Sequence, residues 1–276
     1  LNKVMAFEKR ILYIPTEMSP YLEMTEFAET INKLAILSND LGHEVRCIMP
    51  RFGLINERRH KLHEVVKLSG LNITVNYIDY YLQIKVASLP NARLQVYFLE
   101  NEDFFKRKYL DRDENDAWFE DNDLRTIFFC RGALDIVKKF AWAPDILHCS
   151  GWMTGLIPLY IKTAFKREPV FSNTKIVFSV SENTFVEKIG KNFLEKIAIN
   201  SYVQKEHLKP FASNDNNAMF MGGACYADAI VLASDNIDIK VMNYINKLKS
   251  KIIVPFKPDN DDLTHFFDIY NELALK

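Results

Sequence analysis

The chain has 276 residues, of which 48% are hydrophobic and 26% charged, and its formal net charge is −1. This composition supports a sizeable buried core, and the balanced charge excludes functions that need a basic surface, such as binding nucleic acid or an anionic membrane. No apolar run approaches the roughly 18 residues that span a bilayer. The N-terminus has no signal-peptide pattern, and the four cysteines are scattered, without a C-x-x-C pair. We therefore expect a reduced, cytoplasmic protein with no disulfide, no metal site and no cofactor.

The first fifty residues carry the pattern of one β-α-β unit. Residues 11–15 form a continuous apolar run, which is typical of a strand buried on both faces. A helix is predicted from about Glu26, because apolar residues then recur at helical spacing, and Gly42 is well placed to end it. Residues 44–49 form the second predicted strand, which Pro50 ends.

Residues 64–99 differ from this pattern. Four short segments rich in β-branched and aromatic residues are separated by glycine or polar breaks, as is typical of antiparallel strands. They are residues 64–68, 71–77, 80–87 and 93–99. The pattern predicts an antiparallel or mixed excursion from a mainly parallel sheet, and we expect the last segment to return to that sheet.

The rest of the chain alternates helical and strand patterns. The predicted helices are residues 121–140, 152–162, 218–226, 237–248 and 262–275, and the predicted strands are 146–148, 175–180, 229–233 and 252–254. This alternation is typical of a doubly wound α/β fold. We expect a single Rossmann-like domain over residues 1–276, with a frayed lead over residues 1–9 and poorly defined helices between 183 and 220.

The predicted strand 146–148 runs into a turn of small residues. In an open parallel sheet, ligands bind outside the carboxyl ends of the strands, so chemistry is expected at this turn. His148 could carry a proton there, but a histidine at the end of a buried strand is more often hydrogen-bonded structure. Cys149 is more often a packed thiol than a nucleophile, and Ser150 has no evident His and acid partners. His60 and His63 could share a metal ion, but no third ligand is in sight, and a solvated turn is favoured.

Ordered motifs between residues 10 and 236 point to a family. The motifs are residues 11–20, 41–46, 50–53, 96–101, 121–134, 145–158 and 222–228. Together they resemble the N-terminal catalytic domain of glycogen and starch synthases, retaining glycosyltransferases with two Rossmann-like halves. The resemblance implies that this chain is one half of that two-domain fold. It also implies that the second half, which holds the nucleotide diphosphate in the family, would begin about where this chain ends.

Three departures from the family pattern bear on function. Where the family has Lys-Thr-Gly-Gly-Leu, whose lysine and backbone amides serve the sugar nucleotide, residues 23–27 read Glu-Met-Thr-Glu-Phe. A carboxylate repels a phosphate, and the loss of the glycines removes the close approach of the backbone. A family histidine that contacts the transferred sugar is replaced by Ser150. The family's Ile-His-Asn motif reads Val-Ser-Glu at residues 180–182.

The candidate pocket joins the loop after the first strand to the turn after the central strand. Its residues are Thr16, Glu17, Tyr21, Glu23, Thr25, Glu26, His148, Ser150, Gly151 and Trp152. No catalytic residue is assigned. The glutamates either converge on sugar hydroxyls or form a solvated acidic loop, and the two interpretations have equal weight. Tyr21, Phe52 and Trp152 are the aromatic residues on which a sugar could stack.

Three functions remain open from the sequence. The favoured one is a catalytically degenerate glycosyltransferase domain with a carbohydrate-binding or regulatory role in polysaccharide metabolism. The second is an active glucosyltransferase that uses ADP-glucose or UDP-glucose with a separately supplied second domain, from another chain or a homo-oligomer. The third is a structural protein without a small-molecule site. The expected partners are thus a glucan or nucleotide sugar and a second glycosyltransferase domain or copy, with no nucleic acid and no membrane.

Overall fold

The structure is a computed structural model, and it describes residues 8–90, 92–257 and 263–274. The strands among these residues form one ten-stranded sheet. They are β1 (Arg10–Pro15), β2 (Glu44–Pro50), β3 (His63–Glu64), β4 (Leu71–Val75), β5 (Ile78–Ser88), β6 (Gln95–Glu100), β7 (Ile146–Ser150), β8 (Lys175–Val180), β9 (Ala229–Leu232) and β10 (Ile252–Val254).

Helices cover both faces of this sheet, as expected for a doubly wound fold. In the described part of the chain they are α1 (Phe27–Asp40), α2 (Glu57–His60), α3 (Glu102–Phe105), α4 (Asn122–Phe140), α5 (Leu156–Lys162), α6 (Phe193–Ile197), α7 (Asn216–Tyr226), α8 (Ile239–Ile245) and α9 (Thr264–Ala274). Short 3₁₀ turns occur at Trp152–Thr154, Pro169–Phe171 and Lys205–Phe211. No helix of the described residues is both long and apolar enough to cross a bilayer.

The strand order is β10-β9-β8-β7-β1-β2-β6-β5-β3, and β4 pairs with β5. From β10 to β6, every neighbouring pair is parallel. β5 runs antiparallel to β3, β4 and β6. The predicted parallel sheet, its antiparallel excursion and its return through β6 are therefore confirmed.

β1 occupies the middle of the sheet, between β2 and β7. Its residues Ile11, Leu12, Tyr13 and Ile14 are all fully buried, which explains the uninterrupted apolar run in the sequence. Strands are added on one side of β1 first and later on the other side. This reversal opens a crevice at the carboxyl ends of β1 and β7, the usual ligand site of such folds.

Some element bounds differ from the sequence prediction. The predicted strand 64–68 is reduced to β3, because the chain leaves the ladder in a turn where Val66 is exposed to solvent. The predicted helix 152–162 starts as a 3₁₀ turn, and α5 begins at Leu156, with Pro158 in its first turn, where no backbone N–H is needed. Residues 1–7 of the N-terminal segment that we expected to be frayed lie outside the described residues. Residues 262 and 275, the predicted ends of the last helix, lie outside them as well.

One motif of the resemblance has a packing role. Arg125 of α4 is fully buried, and its Nε donates to the Phe104 carbonyl at 2.8 Å. Its Nη1 donates to Asn122 Oδ1 at 2.6 Å, and the rings of Phe105 and Phe119 lie beside the guanidinium. Burial lowers the pKa of Arg125 to about 10. The motif at the start of α4 thus holds α3 against α4.

Candidate functional site

A cleft of about 600 Å³ lies at the carboxyl edge of the parallel sheet. One wall is the segment that follows β1 and enters α1. The opposite wall comes from the loops that follow β8 and β9, residues 181–182 and 233–236, together with Phe256. The cleft therefore lies where the topology predicts a ligand site.

The charged side chains that line the cleft are acidic. They are Glu23, Glu26, Glu29, Glu182 and Asp235. None of the described lining residues is lysine, arginine or histidine. Ser181, Ser234 and Asn236 add neutral hydrogen-bonding groups, and Phe27 and Phe256 add apolar surface. The cleft combines negative charge with neutral polar and aromatic groups.

Glu17 lies beneath this acidic wall and fixes its shape. It is 8% exposed, and its carboxylate accepts hydrogen bonds from the backbone N–H groups of Met24 and Thr25, the latter at 2.9 Å. The Thr25 hydroxyl donates to the same carboxylate at 2.6 Å. Burial raises the pKa of Glu17 above its usual value. Glu17 therefore holds the loop that presents Glu23 and Glu26.

Thr16, Ser150 and Gly151 join the ends of β1 and β7. The Thr16 backbone N–H donates to the Ser150 carbonyl at 2.9 Å and extends the ladder between the strands. Gly151 has a φ of +88°, and a Cβ atom there would lie 2.4 Å from Thr16 Oγ1. A larger residue would strain both the backbone and this contact. The small-residue turn thus lets the two loops approach each other.

The aromatic candidates pack inside the protein. Tyr21 is 5% exposed; its hydroxyl donates to the Ser88 carbonyl at 3.2 Å, and its ring meets Phe98 edge-on. Trp152 is also 5% exposed and packs edge-on against Phe185, with Trp118 nearby. Neither ring lines the cleft. Phe52, the remaining aromatic candidate, packs edge-on against Phe105.

His148 lies in the layer beneath the cleft and is fully buried. Its Nδ1 is 2.6 Å from the Tyr270 hydroxyl, and its Nε2 is 2.7 Å from Ser179 Oγ. Burial lowers the pKa of His148 to about 3, so the ring is neutral at pH 7. The neighbouring Cys149 thiol is buried as well, and burial raises its pKa well above the usual value.

The structure brings only part of the candidate set together in the cleft: Glu23, Thr25 and Glu26 line it. The other candidates do not line it, and a substrate role for the set stays a prediction. His60 packs against Tyr21, and the described residues contain no group of three side chains able to hold a metal ion.

The candidate set lacked several residues that line the cleft: Glu29, Ser181, Glu182, Asp235, Asn236 and Phe256. Most of them could have been found by applying the strand-end rule to every predicted parallel strand, since Ser181 and Glu182 follow β8 and Asp235 and Asn236 follow β9. The same rule covers Phe256, which follows β10 by two residues. Glu29 carried no such signal, because a helix residue enters the cleft only through tertiary packing.

Comparison with known proteins is consistent with this architecture. A family model described as the starch synthase catalytic domain matches residues 10–249. The glycogen synthase of Chlorobium limicola is 32% identical over 226 residues, covering 82% of this chain and 45% of the relative. That of Chlorobium chlorochromatii is 36% identical over 180 residues, covering 62% of this chain and 35% of the relative. The chain thus spans about half the length, or less, of these relatives.

A solved structure shares the fold. The catalytic domain of starch synthase IV from Arabidopsis thaliana, bound to ADP and acarbose, superposes with a TM-score of 0.71 at 16% sequence identity. The match covers 92% of this chain and 52% of that chain. The family model covers most of the chain, and its matched residues include β1, β7, β8 and β9, whose ends surround the cleft. This chain therefore belongs to the starch synthase catalytic domain family, the glycosyltransferase group that its sequence motifs resemble.

Proposed function

We propose that this glycosyltransferase-family domain binds a neutral α-glucan in its acidic cleft and does not itself transfer glucose from a nucleotide sugar. Its role is then carbohydrate binding or regulation in polysaccharide metabolism. The observation that carries the proposal is the lining of the cleft. Five carboxylic acids and no basic residue occur among its described lining residues.

This lining opposes a nucleotide diphosphate. Two like unit charges 5 Å apart repel by about 3 kcal/mol at an effective dielectric constant of about 20. A diphosphate brings more than one negative charge, and Glu23 and Glu26 stand where the family motif has a lysine and a glycine. These two carboxylates therefore repel a diphosphate at the positions where the lysine and glycine of the family motif would favour its binding.

A glucan fits the same lining for chemical reasons. Its hydroxyl groups are neutral donors, and carboxylates such as those of Glu182 and Asp235 accept charge-assisted hydrogen bonds. The rings of Phe27 and Phe256 offer apolar faces to sugar rings. The curated relatives are glycogen synthases, and the related solved domain held acarbose. The proposal includes a cytoplasmic location, supported by four cysteines that are all free thiols.

The competing candidate is active transfer from ADP-glucose or UDP-glucose, with a second glycosyltransferase domain or a second copy completing the donor site. Family membership favours it, because the named relatives are synthases about two to three times as long as the match. The two candidates differ in what this domain contributes to the donor site: active transfer requires it to supply some affinity for ADP by itself, whereas the glucan-binding proposal requires none. Titration calorimetry with maltoheptaose and with ADP separates them.

We expect the wild-type chain to bind maltoheptaose and not ADP. The double variant Glu23→Lys with Glu26→Gly restores the lysine and the second glycine of the family motif, and it should bind ADP at least about tenfold more tightly than the detection limit set by the wild type, the equivalent of 1.4 kcal/mol. The matched control is Glu44→Lys, an exposed charge reversal at the start of β2, on the opposite edge of the sheet. It should leave ADP binding unchanged. ADP binding by the wild type, or glucose transfer to glycogen by the purified chain, would contradict the proposal.

A further inference from the structure

The last helix, α9, returns to the centre of the sheet and reaches the layer under the cleft. Its residue Tyr270 is 1% exposed, and its hydroxyl lies 2.6 Å from His148 Nδ1 on β7. The Tyr270 hydroxyl also lies close enough to the Tyr13 hydroxyl on β1 for each group to shift the pKa of the other. One helix residue thus contacts two neighbouring central strands through polar groups.

These contacts belong to a longer row of buried polar side chains. Tyr13 OH is 2.8 Å from Ser38 Oγ on α1, and His148 Nε2 is 2.7 Å from Ser179 Oγ on β8. All five side chains are at most 1% exposed. We call Ser38, Tyr13, Tyr270, His148 and Ser179 the buried polar chain. It runs from α1 across β1 and β7 to β8.

The buried polar chain lies just before the loops that build the cleft. Tyr13 precedes the end of β1 by two residues, and His148 precedes the Gly151 turn by three. Ser179 precedes Ser181, which lines the cleft, by two residues. The strands are in register here, with Tyr13 opposite His148 and Ser150 opposite Ser179. A shift of one strand end would therefore move a wall of the cleft.

We propose that Tyr270 is a positioning residue for the glucan cleft: its hydroxyl sets the relative placement of the ends of β1, β7 and β8, and through them the two walls. This inference rests on the proposed function and identifies the residue that keeps the walls of that site in place. Removing the hydroxyl leaves His148 Nδ1 without its hydrogen-bond partner in a dry core, while the Tyr13 hydroxyl keeps Ser38 Oγ. The strand ends then shift to recover hydrogen bonds, and the loops they carry move with them.

The alternative role is plain packing of α9. Phe266, Ile269 and Leu273 bury the apolar face of the same helix, and that packing is independent of the Tyr270 hydroxyl. A packing role would change stability alone. A positioning role changes ligand affinity and the local opening of the cleft walls while the protein stays folded.

The test compares Tyr270→Phe with Asn271→Ala, both well below the melting temperature. Asn271 accepts a hydrogen bond from Lys9 Nζ at 2.7 Å, next to the start of β1 and at the opposite edge from the cleft. Each variant removes a polar side-chain contact of α9, but only Tyr270→Phe disturbs the buried polar chain. We expect Tyr270→Phe to weaken maltoheptaose binding about fivefold or more. Amide hydrogen exchange in residues 23–27 and 181–184 should become about tenfold faster, and Asn271→Ala should change neither quantity.

Ser179→Ala removes the hydroxyl at the β8 end of the buried polar chain, so amide exchange at residues 181–184 should again become faster. If Tyr270→Phe does not fold, this variant tests the positioning role in its place. Equal behaviour of Tyr270→Phe and Asn271→Ala in both measurements overturns the inference. If the wild type fails to bind maltoheptaose, the proposed function fails, and hydrogen exchange alone then judges the positioning role. Unchanged exchange in both cleft walls overturns it in that case.

Discussion

Carboxylates occur at both edges of the parallel sheet, but the two edges use them differently. Where the strands begin, Asp228 accepts a hydrogen bond from the buried Ile176 N–H at 2.8 Å and pairs with Lys162 Nζ at 3.0 Å. Where the strands end, acids such as Glu26 and Asp235 line an open cleft that has no basic lining residue among those described. The same residue type thus serves the fold at one edge and remains available to a ligand at the other.

Glycines show the same difference between the edges. Gly42 ends α1 before β2 with a φ of +89°, and a Cβ atom added to it would meet nothing within 4 Å. Gly151 has nearly the same φ at the cleft edge, but a Cβ atom there would meet the Thr16 side chain at 2.4 Å. Both positions therefore require a positive φ, but only Gly151, at the cleft edge, also lacks space for a side chain.

The largest expected effect comes from this pair of glycines. Gly151→Ala should destabilise the protein by about 3 kcal/mol, because backbone strain adds to a steric clash. Gly42→Ala should cost only about 1 kcal/mol, the backbone term alone. Urea denaturation of both variants measures the difference. Equal losses would show that Thr16 moves aside and that the junction between the two loops is loose.

The second prediction concerns the acids themselves. Asp228→Ala should cost about 2 kcal/mol, because it leaves the buried Ile176 N–H without its partner. Glu26→Ala in the cleft should change the free energy of unfolding by less than about 0.5 kcal/mol. The measurement is again urea denaturation at pH 7. A loss at Glu26 as large as that at Asp228 would mean that the cleft acids support the fold and are not free for a ligand.

The smallest expected effect is a pH dependence from the layer beneath the cleft. Burial lowers the pKa of His148 from 6.5 to about 3, so below pH 6.5 the unfolded chain binds a proton that the folded chain does not. The stability that His148 contributes is present above pH 6.5 and is lost as the pH falls, by up to about 1.4 kcal/mol per pH unit.

His148→Gln should remove this part of the slope when unfolding is measured between pH 6 and pH 5. His63→Gln, at an exposed histidine of β3, is the control and should keep the wild-type slope. The comparison uses the difference in slope, since the glutamine variant is less stable at every pH. An unchanged slope in His148→Gln would show that protonated His148 is tolerated in the folded protein.

Much of the fold was predictable because its signals are local. The apolar run of β1, the helical spacing of α1 and the β-rich excursion depend on burial patterns within short segments. The acidic replacement at residues 23–26 was also visible, and these residues do line the cleft. The sequence did not show that Glu17 would be buried while Glu26 lines the cleft. Whether a glutamate points inward to backbone amides or outward to solvent depends on the tertiary conformation of the loop.

The sequence by itself determined the strand and helix periodicities, the family motifs and the change from a basic to an acidic loop after the first strand. Tertiary structure alone decided that Glu29 of α1 lines the cleft and that Tyr270 bonds His148 across 122 positions of the chain. The physical reason is distance along the chain. Local patterns reflect which side of an element is buried, whereas a site and its supporting contacts depend on which elements the sheet order places side by side.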